Sequence, residues 1–256
     1  MTIRWMTAFI DRPADPFDNA VEFWMETTGT KLSSARGDHK EFATLLPPGG
    51  DAYLRVQRVG DCGGSHLDLH VDDVEGFVRR AHAMGAHVEH PPGGPPLIRS
   101  PAGMVACVVN HHGESIRPGA LMSPEGAVSI VDQLCIDVPE DGFDEECAFW
   151  SGLTGWVLQS SSSHPEFKFL IRPAWSPLRL LLQRREDSDG PARSHLDIAC
   201  DDVKLLVDDH LRLGAFLLEE FADWTCMIDP AGLPYCITRR NPHTGLLSTP
   251  TPDYGP

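Results

Sequence analysis

Two histidines and two aspartates carry the chemistry that this sequence suggests most directly. One Ser-His-Leu-Asp stretch contains His66 and Asp68, and a second contains His195 and Asp197. Side chains two positions apart on a strand lie on the same face, so each pair can share one site. Such a pair can act as general acid and base, and its imidazole can bind a metal ion. These four residues are therefore the candidate catalytic residues.

The two stretches belong to a tandem duplication of a unit of somewhat over a hundred residues. Three landmarks, the histidines among them, keep a constant separation of 129 residues, and an earlier Phe-Trp pair recurs after 126. Repetition at a fixed period sets the architecture before any single element is assigned. It also allows a structural alternative, in which both histidines bond only to loop backbone and are retained by common descent. The landmarks are His66/His195, Gly85/Gly214, Pro101/Pro230 and Phe23/Phe149.

The clearest helix is predicted over 74–84, where apolar residues follow helical spacing. Asp72 or Asp73 can cap its start, and Gly85 can end it. Each copy holds two strand-helix-strand-strand-strand units, four in all. Further helices are predicted over 16–28, 143–153 and 202–213, and strands over 3–10, 41–46, 51–59, 66–71, 86–89, 104–110, 128–138, 166–171, 178–184, 195–200, 216–219 and 235–239.

Composition narrows the class of protein. The 256 residues carry a formal net charge of −16, from 21 Lys and Arg against 37 Asp and Glu. Such a surface disfavours nucleic acid and anionic membrane as partners. The seven cysteines form no Cys-x-x-Cys pair, and no signal peptide or membrane-length apolar run is present, which predicts a cytoplasmic protein. A monomer and a homodimer are both compatible with a chain that already contains two copies.

The sequence also suggests boundaries. We predict a first module over residues 1–118 and a second over 126–241, with a linker in the Gly- and Pro-rich segment 110–126. The adjacent histidines at 111 and 112 fall where this linker starts and have no partners at ligand spacing. The Pro-rich tail, 242–256, is predicted to be poorly ordered or laid over the surface.

The duplicated pattern resembles the vicinal oxygen chelate superfamily, which includes glyoxalase I, bleomycin-resistance proteins and extradiol dioxygenases. The resemblance rests on the doubled His-x-Asp-x-x-x-Asp-Asp-Val stretch and on an Asp-Pro-x-Gly turn, intact at Asp229 but with Ser100 in place of Asp in the first copy. It covers residues 3–240. It implies an α+β fold of two tandem βαβββ glyoxalase-like modules, with mixed sheets curled around a cleft.

In this superfamily, metal-binding members use His or Gln on the first strand, His on the strand before the second helix, and Glu on the last strand. The resemblance places Gln133, His195 and Cys236 at these positions in the second copy. In the first copy it places Trp5, His66 and Cys107. Because the carboxylate is missing twice, we predict a metal-free protein without a cofactor. The alternative is one divalent metal held by Gln133, His195 and Cys236.

Side chains on the first and third strands of each unit are the candidate ligand-binding set. An arginine at 55 or 179 suits a carboxylate or phosphate, and a tryptophan at 5 can stack on a flat ligand. Two simpler alternatives remain open: the arginines pair with surface acids, and the tryptophan is part of the core. The full set is Trp5, Phe9, Arg55, Gln57, Gln133, Arg179 and Gln183.

Three hypotheses for function follow. The first is a metal-free protein that binds a small organic molecule in its cleft. The second is a lyase or isomerase that uses the His and Asp pairs as general acid and base. The third is a metal-dependent enzyme of the superfamily, such as a dioxygenase, that chelates vicinal oxygens. The missing Glu counts against the third, and the fold alone does not choose between the others.

Overall fold

A computed structural model of the chain describes residues 2–60 and 63–247. The first module contains two βαβββ units in succession. The first unit comprises β1 (Ile3–Pro13), α1 (Phe17–Thr28), β2 (Lys31–Leu32), β3 (Phe42–Leu46) and β4 (Leu54–Val59). The second comprises β5 (Gly64–Val71), α2 (Val74–Ala83), β6 (His87–Glu89), β7 (Leu97–Arg99) and β8 (Val105–Asn110).

The second module repeats this order, which confirms the four predicted units. A short strand, β9 (Leu121–Met122), comes first and lies within the segment predicted to be a linker. The third unit comprises β10 (Val128–Val138), α3 (Phe143–Thr154), β11 (Leu158–Ser160), β12 (Phe167–Leu170) and β13 (Arg179–Arg184). The fourth comprises β14 (Arg193–Cys200), α4 (Val203–Arg212), β15 (Phe216–Glu220), β16 (Trp224–Ile228) and β17 (Pro234–Thr238).

Each module forms one mixed sheet with the same topology, as predicted. In the first, the order is β2-β3-β4-β1-β5-β8-β7-β6, and in the second β11-β12-β13-β10-β14-β17-β16-β15. The central pair, β1 with β5 or β10 with β14, is antiparallel. Each central strand is parallel to the last strand of its own unit. Apart from β9, each sheet therefore consists of two similar four-stranded halves, one from each unit, which meet where the first strand of one unit pairs with the histidine strand of the next.

The helices that follow the histidine strands begin as the sequence predicts. The carboxylate of Asp73 accepts a hydrogen bond from Gly76 N at 2.9 Å, and Asp202 accepts one from Leu205 N at 3.0 Å. Each satisfies an amide that the first helical turn leaves without an internal partner. These aspartates are helix caps rather than an acidic site.

The two modules pack against each other through their histidine strands, and a helix of the first module contacts the second. Ser194 Oγ donates to Ser65 O at 2.5 Å. Trp24 of α1 donates through Nε1 to Asp229 Oδ2 of the second module at 3.0 Å. Arg12 Nε donates to the same oxygen at 2.6 Å, and both charged side chains are buried. The hydrophobic core is continuous across both modules.

On the opposite side of this interface, a carboxylate from a different position accepts the hydrogen bond of the helix tryptophan. Trp150 is the counterpart of Trp24, but Ser100 replaces the aspartate and the carboxylate comes from Glu146 on α3. Glu146 accepts from Trp150 Nε1 at 2.7 Å and from Ala102 N at 2.9 Å. Ser100 Oγ accepts from Met104 N at 2.9 Å. Burial raises the pKa of Glu146, against hydrogen bonds that lower it.

The described part of the tail lies on the second module. Leu247 forms a β-bridge with Arg240, and Arg179 donates to Gly245 O at 2.8 Å. Residues 242–247 thus follow the surface alternative of the prediction. The rest of the predicted tail, 248–256, lies outside the described residues. Within the described ranges, no helix is long and apolar enough to cross a membrane.

Candidate functional site

Strand register brings the predicted residues of the first module into two rows across the sheet. His66 on β5 pairs with Phe9 on β1. Asp68, two residues further on, pairs with Thr7 on β1 and with Cys107 on β8. Because paired residues lie on the same face of a sheet, these side chains project toward one cleft.

His66 is held from both sides in this cleft. Its Nδ1 lies 2.6 Å from Asp11 Oδ2, and its ring stacks on Phe9 with centroids 4.3 Å apart. Burial alone lowers the pKa of His66, but hydrogen bonds and charge from Asp11 and Cys107 outweigh it and raise the pKa to about 10. The imidazole is therefore a cation at neutral pH.

The neighbouring carboxylate of Asp68 is also engaged. Arg55 Nη1 donates to its Oδ2 at 2.8 Å, and the guanidinium lies 5.5 Å from the Phe9 ring centroid. Burial raises the pKa of Asp68, and Arg55 and His66 oppose that rise. The two rows and the adjacent strand positions therefore combine two cations, His66 and Arg55, with two carboxylates, Asp11 and Asp68, and the ring of Phe9.

The second module contains the same arrangement in a more buried form. His195 Nδ1 lies 2.9 Å from Asp137 Oδ2, and Nε2 lies 3.6 Å from Cys236 Sγ. Burial lowers the pKa of His195, but the charges of Asp137 and the neighbouring cysteines raise it well above its usual value. Asp197 accepts a hydrogen bond from Gln133 and lies 3.3 Å from His195 Nε2.

The two sites differ in the space around them. The first opens into a cleft of about 1720 Å³, which residues 185, 191–194, 231 and 233–234 of the second module help to line. The second adjoins a cavity of about 200 Å³, lined in part by tail residues 245–247. Only the first cleft has room for a drug-sized molecule.

The charge of the large cleft is opposite to that of the whole chain. Among the described residues, five arginines line it, against three aspartates and no lysine or glutamate: Arg36, Arg55, Arg99, Arg185 and Arg193 against Asp11, Asp68 and Asp137. The full sequence carries −16. Arg99 and Arg185 are ion-paired with Glu89 and Asp187, which lie outside the lining. With the imidazolium of His66, the described lining still carries more positive than negative charge on a strongly negative protein.

Comparison with known proteins gives the family. The family model described as "Glyoxalase-like domain" matches residues 7–109 and again 133–238, most of the chain. This chain belongs to the glyoxalase-like domain family. The predicted resemblance to the vicinal oxygen chelate superfamily is thereby confirmed. None of the curated proteins matches this glyoxalase-like sequence.

Solved structures with the same fold include enzymes of that superfamily. The Mn(II)-bound glyoxalase from Novosphingobium aromaticivorans is 16% identical, with 93% of this chain and 81% of that chain covered and a TM-score of 0.62. The 2,2',3-trihydroxybiphenyl 1,2-dioxygenase from Sphingomonas wittichii is 13% identical, with 93% of this chain and 90% of that chain covered and a TM-score of 0.63. This chain spans 48% of a xylose isomerase-like TIM barrel/4-hydroxyphenylpyruvate dioxygenase fusion protein, at 14% identity and a TM-score of 0.57. These similarities show the shared glyoxalase-like fold.

The first-strand correspondence differs from the one expected from sequence. A β-bulge interrupts the pairing at Arg4 in β1 and at Asp132 in β10. Beyond the bulges, Thr7 pairs with Asp68 and Gln133 pairs with Asp197, so Gln133 corresponds to Thr7 and not to Trp5. Trp5 is fully buried in the core, donates through Nε1 to the backbone, and lines none of the three cavities described for this chain. This placement agrees with the core alternative rather than with ligand stacking.

The residues at the family's metal positions do not fit its usual ligand set. Thr7 stands where the first-strand ligand is expected, and its hydroxyl contacts a histidine at 3.0 Å. Cys107 and Cys236 stand where the family has glutamate. The family's glutamate-containing triad is therefore absent from these positions in both described modules.

The alternative triad of the second module is only partly assembled. His195 and Cys236 are adjacent, but the Gln133 side-chain amide donates to Asp197. An oxygen of Asp197 lies within 4.8 Å of the ligand atoms of His195 and Cys236. Metal binding by Gln133, His195 and Cys236 stays a prediction.

The other predicted site residues divide between the two cavities. The large cleft is lined by Phe9, Arg55, Gln57, His66 and Asp68. The small cavity is lined by Gln133, Arg179, Gln183, His195 and Asp197. The residue most clearly missed by the sequence analysis is Asp11, the partner of His66. It lies 126 residues before Asp137, the offset already seen in the Phe-Trp pair, and this repeat would have revealed it.

Proposed function

We propose that this protein binds a small organic anion with a flat, conjugated part in the cleft of the first module, without the family's metal. The observation that carries the proposal is the excess of arginine over acidic residues in the cleft of a chain with a net charge of −16. The negatively charged outer surface repels an anion, whereas the guanidinium groups of the cleft attract it. Guanidinium groups bind carboxylate and phosphate in two-point contacts.

The ring stack at the base of the cleft suits the flat part of such a ligand. Phe9 lies between His66 and Arg55, and Phe42 meets it edge to face with centroids 6.2 Å apart. An aromatic or conjugated group can extend this stack, while its anionic end reaches an arginine on the rim. His66 contributes a positive charge because Asp11 holds it as a cation.

Isothermal titration with matched pairs of compounds tests the proposal. We expect benzoate, cinnamate or phenylphosphonate to bind at one site per chain, and benzamide and cinnamamide to bind at least about tenfold more weakly. Arg193 is an exposed residue of the cleft, so Arg193→Gln should fold normally and weaken binding about fivefold. Arg4→Gln makes the same charge change on the surface outside the cleft and should leave binding unchanged.

Either of two results would contradict the proposal: equal binding of the acids and their amides, or equal effects of the two variants. No binding of any acid would also count against it.

A second candidate is a lyase or isomerase in which His66 acts as a general acid. The short Asp11 contact favours it, because a carboxylate on Nδ1 orients the ring and keeps Nε2 protonated. A zinc-dependent variant would use His66, Asp68 and Cys107, whose ligand atoms lie within 4.8 Å of one another. Under either alternative, His66→Gln should abolish turnover in a substrate screen, whereas a binding protein would turn over none of the compounds it binds.

A further inference from the structure

A second cluster of possible ligand atoms lies on the first module, away from the row of His66. His70 is four residues further along β5, which corresponds to about 13 Å of strand. His111 follows β8 directly, and Glu114 comes three residues later. One ring nitrogen of each histidine and a carboxylate oxygen of Glu114 lie within 4.8 Å of one another.

The backbone fixes this cluster in place. His111 N donates to Val71 O at 3.0 Å, which extends the pairing of β5 and β8 by one residue. The Glu114 carboxylate accepts from His112 N at 3.0 Å. His70 is 1% exposed, and its Nε2 lies 3.0 Å from the Thr7 hydroxyl. The three side chains therefore converge from two strands and from the segment that leaves the module.

The atoms that face one another in the cluster are not hydrogen-bonded. His70 Nδ1 lies 3.6 Å from Glu114 Oε1, and His111 Nδ1 lies 3.2 Å from Glu114 Oε2. Both nitrogens are buried, and neither has a hydrogen-bond partner among the described residues. In the tautomer whose Nε2 donates to Thr7, His70 Nδ1 carries a free electron pair on the side of the Glu114 carboxylate. Buried polar atoms are rarely left in this state without an ion or water between them.

The separations match those around a tetrahedral metal ion. Ligand atoms at the usual zinc distances of about 2.0–2.1 Å lie about 3.3 Å apart. The two nitrogen–oxygen separations, 3.6 Å from His70 to Glu114 Oε1 and 3.2 Å from His111 to Glu114 Oε2, lie on either side of this value, each to a different oxygen of the carboxylate. Two imidazole nitrogens and one carboxylate form a ligand set that zinc and neighbouring divalent ions favour, and a water can complete it.

The second module has no counterpart of this cluster. The 129-residue offset places Ala199 at the position of His70 and Arg240 at that of His111. Arg240 is buried and ion-paired with Asp132. The cluster is therefore not explained by retention of an ancestral pair in both copies, and it uses none of the positions at which the family holds metal.

We propose that His70, His111 and Glu114 form a site for one Zn²⁺ or similar divalent ion, which fastens the segment after β8 to the first sheet. The same segment is already held from the other side, because the Asp51 carboxylate accepts from Ser115 N at 2.7 Å and from Ile116 N at 2.8 Å. An ion at the cluster would add a second anchor. This inference is independent of anion binding in the cleft.

Cobalt titration of the full-length, untagged, chelator-treated protein tests the site. We expect one equivalent of Co²⁺ to give visible ligand-field bands without a thiolate-to-cobalt band in the near ultraviolet, and Zn²⁺ to displace it. Zn²⁺ should also raise the melting temperature. Because His111 lies at the end of a strand and Glu114 in a loop, His111→Ala and Glu114→Gln are the chosen variants, and each should weaken binding by at least about 100-fold.

Two controls separate this cluster from its neighbours. His112→Ala removes an exposed adjacent histidine, and Cys107→Ser removes the thiol that lies beside Asp68 and His66. Both should bind Co²⁺ as the parent protein does. The proposal is overturned if the parent binds no Co²⁺, if His111→Ala binds it equally well, or if a thiolate band appears and Cys107→Ser abolishes it.

Discussion

Nδ1 of His66 lies 2.6 Å from Oδ2 of Asp11, and the same contact recurs between His195 and Asp137 at 2.9 Å. Both modules therefore contain a histidine that is oriented by a carboxylate on the adjacent strand. In both, an aspartate, Asp68 or Asp197, also stands two residues after the histidine. In the first module this ion pair borders an open cleft, so its charge is available to a ligand.

The first prediction concerns the charge on His66. Imidazole NMR signals should show His66 as a cation at pH 8, because its pKa is raised to about 10. Asp11→Asn removes the main partner and leaves burial dominant, so the pKa should fall toward or below 6.5. Asp137→Asn changes only the second module and should leave the His66 signal unchanged. A neutral His66 at pH 8 in the parent protein would contradict the account.

The same pair has a consequence for stability. A raised pKa means that the stabilising contribution of His66 is complete below pH 6.5 and is lost as the pH rises through about 10. The parent protein should therefore lose more stability than Asp11→Asn between pH 8 and pH 10, as measured by urea denaturation.

The second prediction concerns His210, whose pKa is shifted in the opposite direction to that of His66. His210 is 1% exposed, its Nδ1 lies 2.8 Å from the Tyr235 hydroxyl, and burial lowers its pKa to about 4. Unfolded chains bind a proton near pH 6.5, so its contribution is complete above that pH and is lost as the pH falls toward 4. Between pH 7 and pH 5 this amounts to about 2 kcal/mol.

Urea denaturation at the two pH values measures this effect. His210→Phe should lose about 2 kcal/mol less than the parent over that range, whereas His87→Phe, at an exposed position, should follow the parent. Equal losses in the parent and His210→Phe would show that the folded state accepts the proton without penalty.

The third prediction concerns the buried ion pair between the modules. Arg12→Val leaves Asp229 charged and buried, so it should lower the free energy of unfolding by about 3–5 kcal/mol in a denaturant titration. The opposite side of the interface suggests a repair, since Val138, Ser100 and Glu146 correspond there to Arg12, Asp229 and Ala20. The triple variant Arg12→Val/Asp229→Ser/Ala20→Glu should recover part of the loss. A cost below about 1 kcal/mol for Arg12→Val would contradict this role.

The fourth prediction tests the register of β16 and β17. Cys226 and Cys236 lie directly opposite each other, with their sulfur atoms 3.5 Å apart. Mild oxidation should therefore join them in a disulfide, because paired strand positions meet the geometric requirement. Peptide mapping by mass spectrometry should find this link, and the buried Cys147 should stay a free thiol. A different pairing would show that the register is not the one described.

Much of the fold was predictable because the duplication is visible in the sequence. The constant offset identified two modules, and helical spacing with a glycine stop located the helix after His66 within one residue. Strands of two or three residues, such as β2, β7 and β11, were missed because they are too short to show alternation. The five-residue β16 was also missed, because its pairing with β15 and β17 is decided by tertiary contacts.

The candidate site was less predictable, for two physical reasons. Comparing Trp5 with Gln133 is wrong by two residues, because Thr7 is the true counterpart. The 126-residue offset of the Phe-Trp pair already points to it, whereas the β-bulges of the two first strands lie at different positions and leave no sequence pattern. The adjacent histidines at the linker were expected to have no partners at ligand spacing. The structure corrects this, because parallel pairing of β5 and β8 brings His111 beside His70.

The most direct test of the central claim is an amide NMR titration of the labelled protein with benzoate and phenylphosphonate, with benzamide as the neutral control. The account predicts saturable shifts at Phe9, His66 and Cys107, little change at His195, and no saturation with benzamide. Shifts centred on His195, or no saturable shift with either acid, would show that the cleft of the first module is not an anion-binding site.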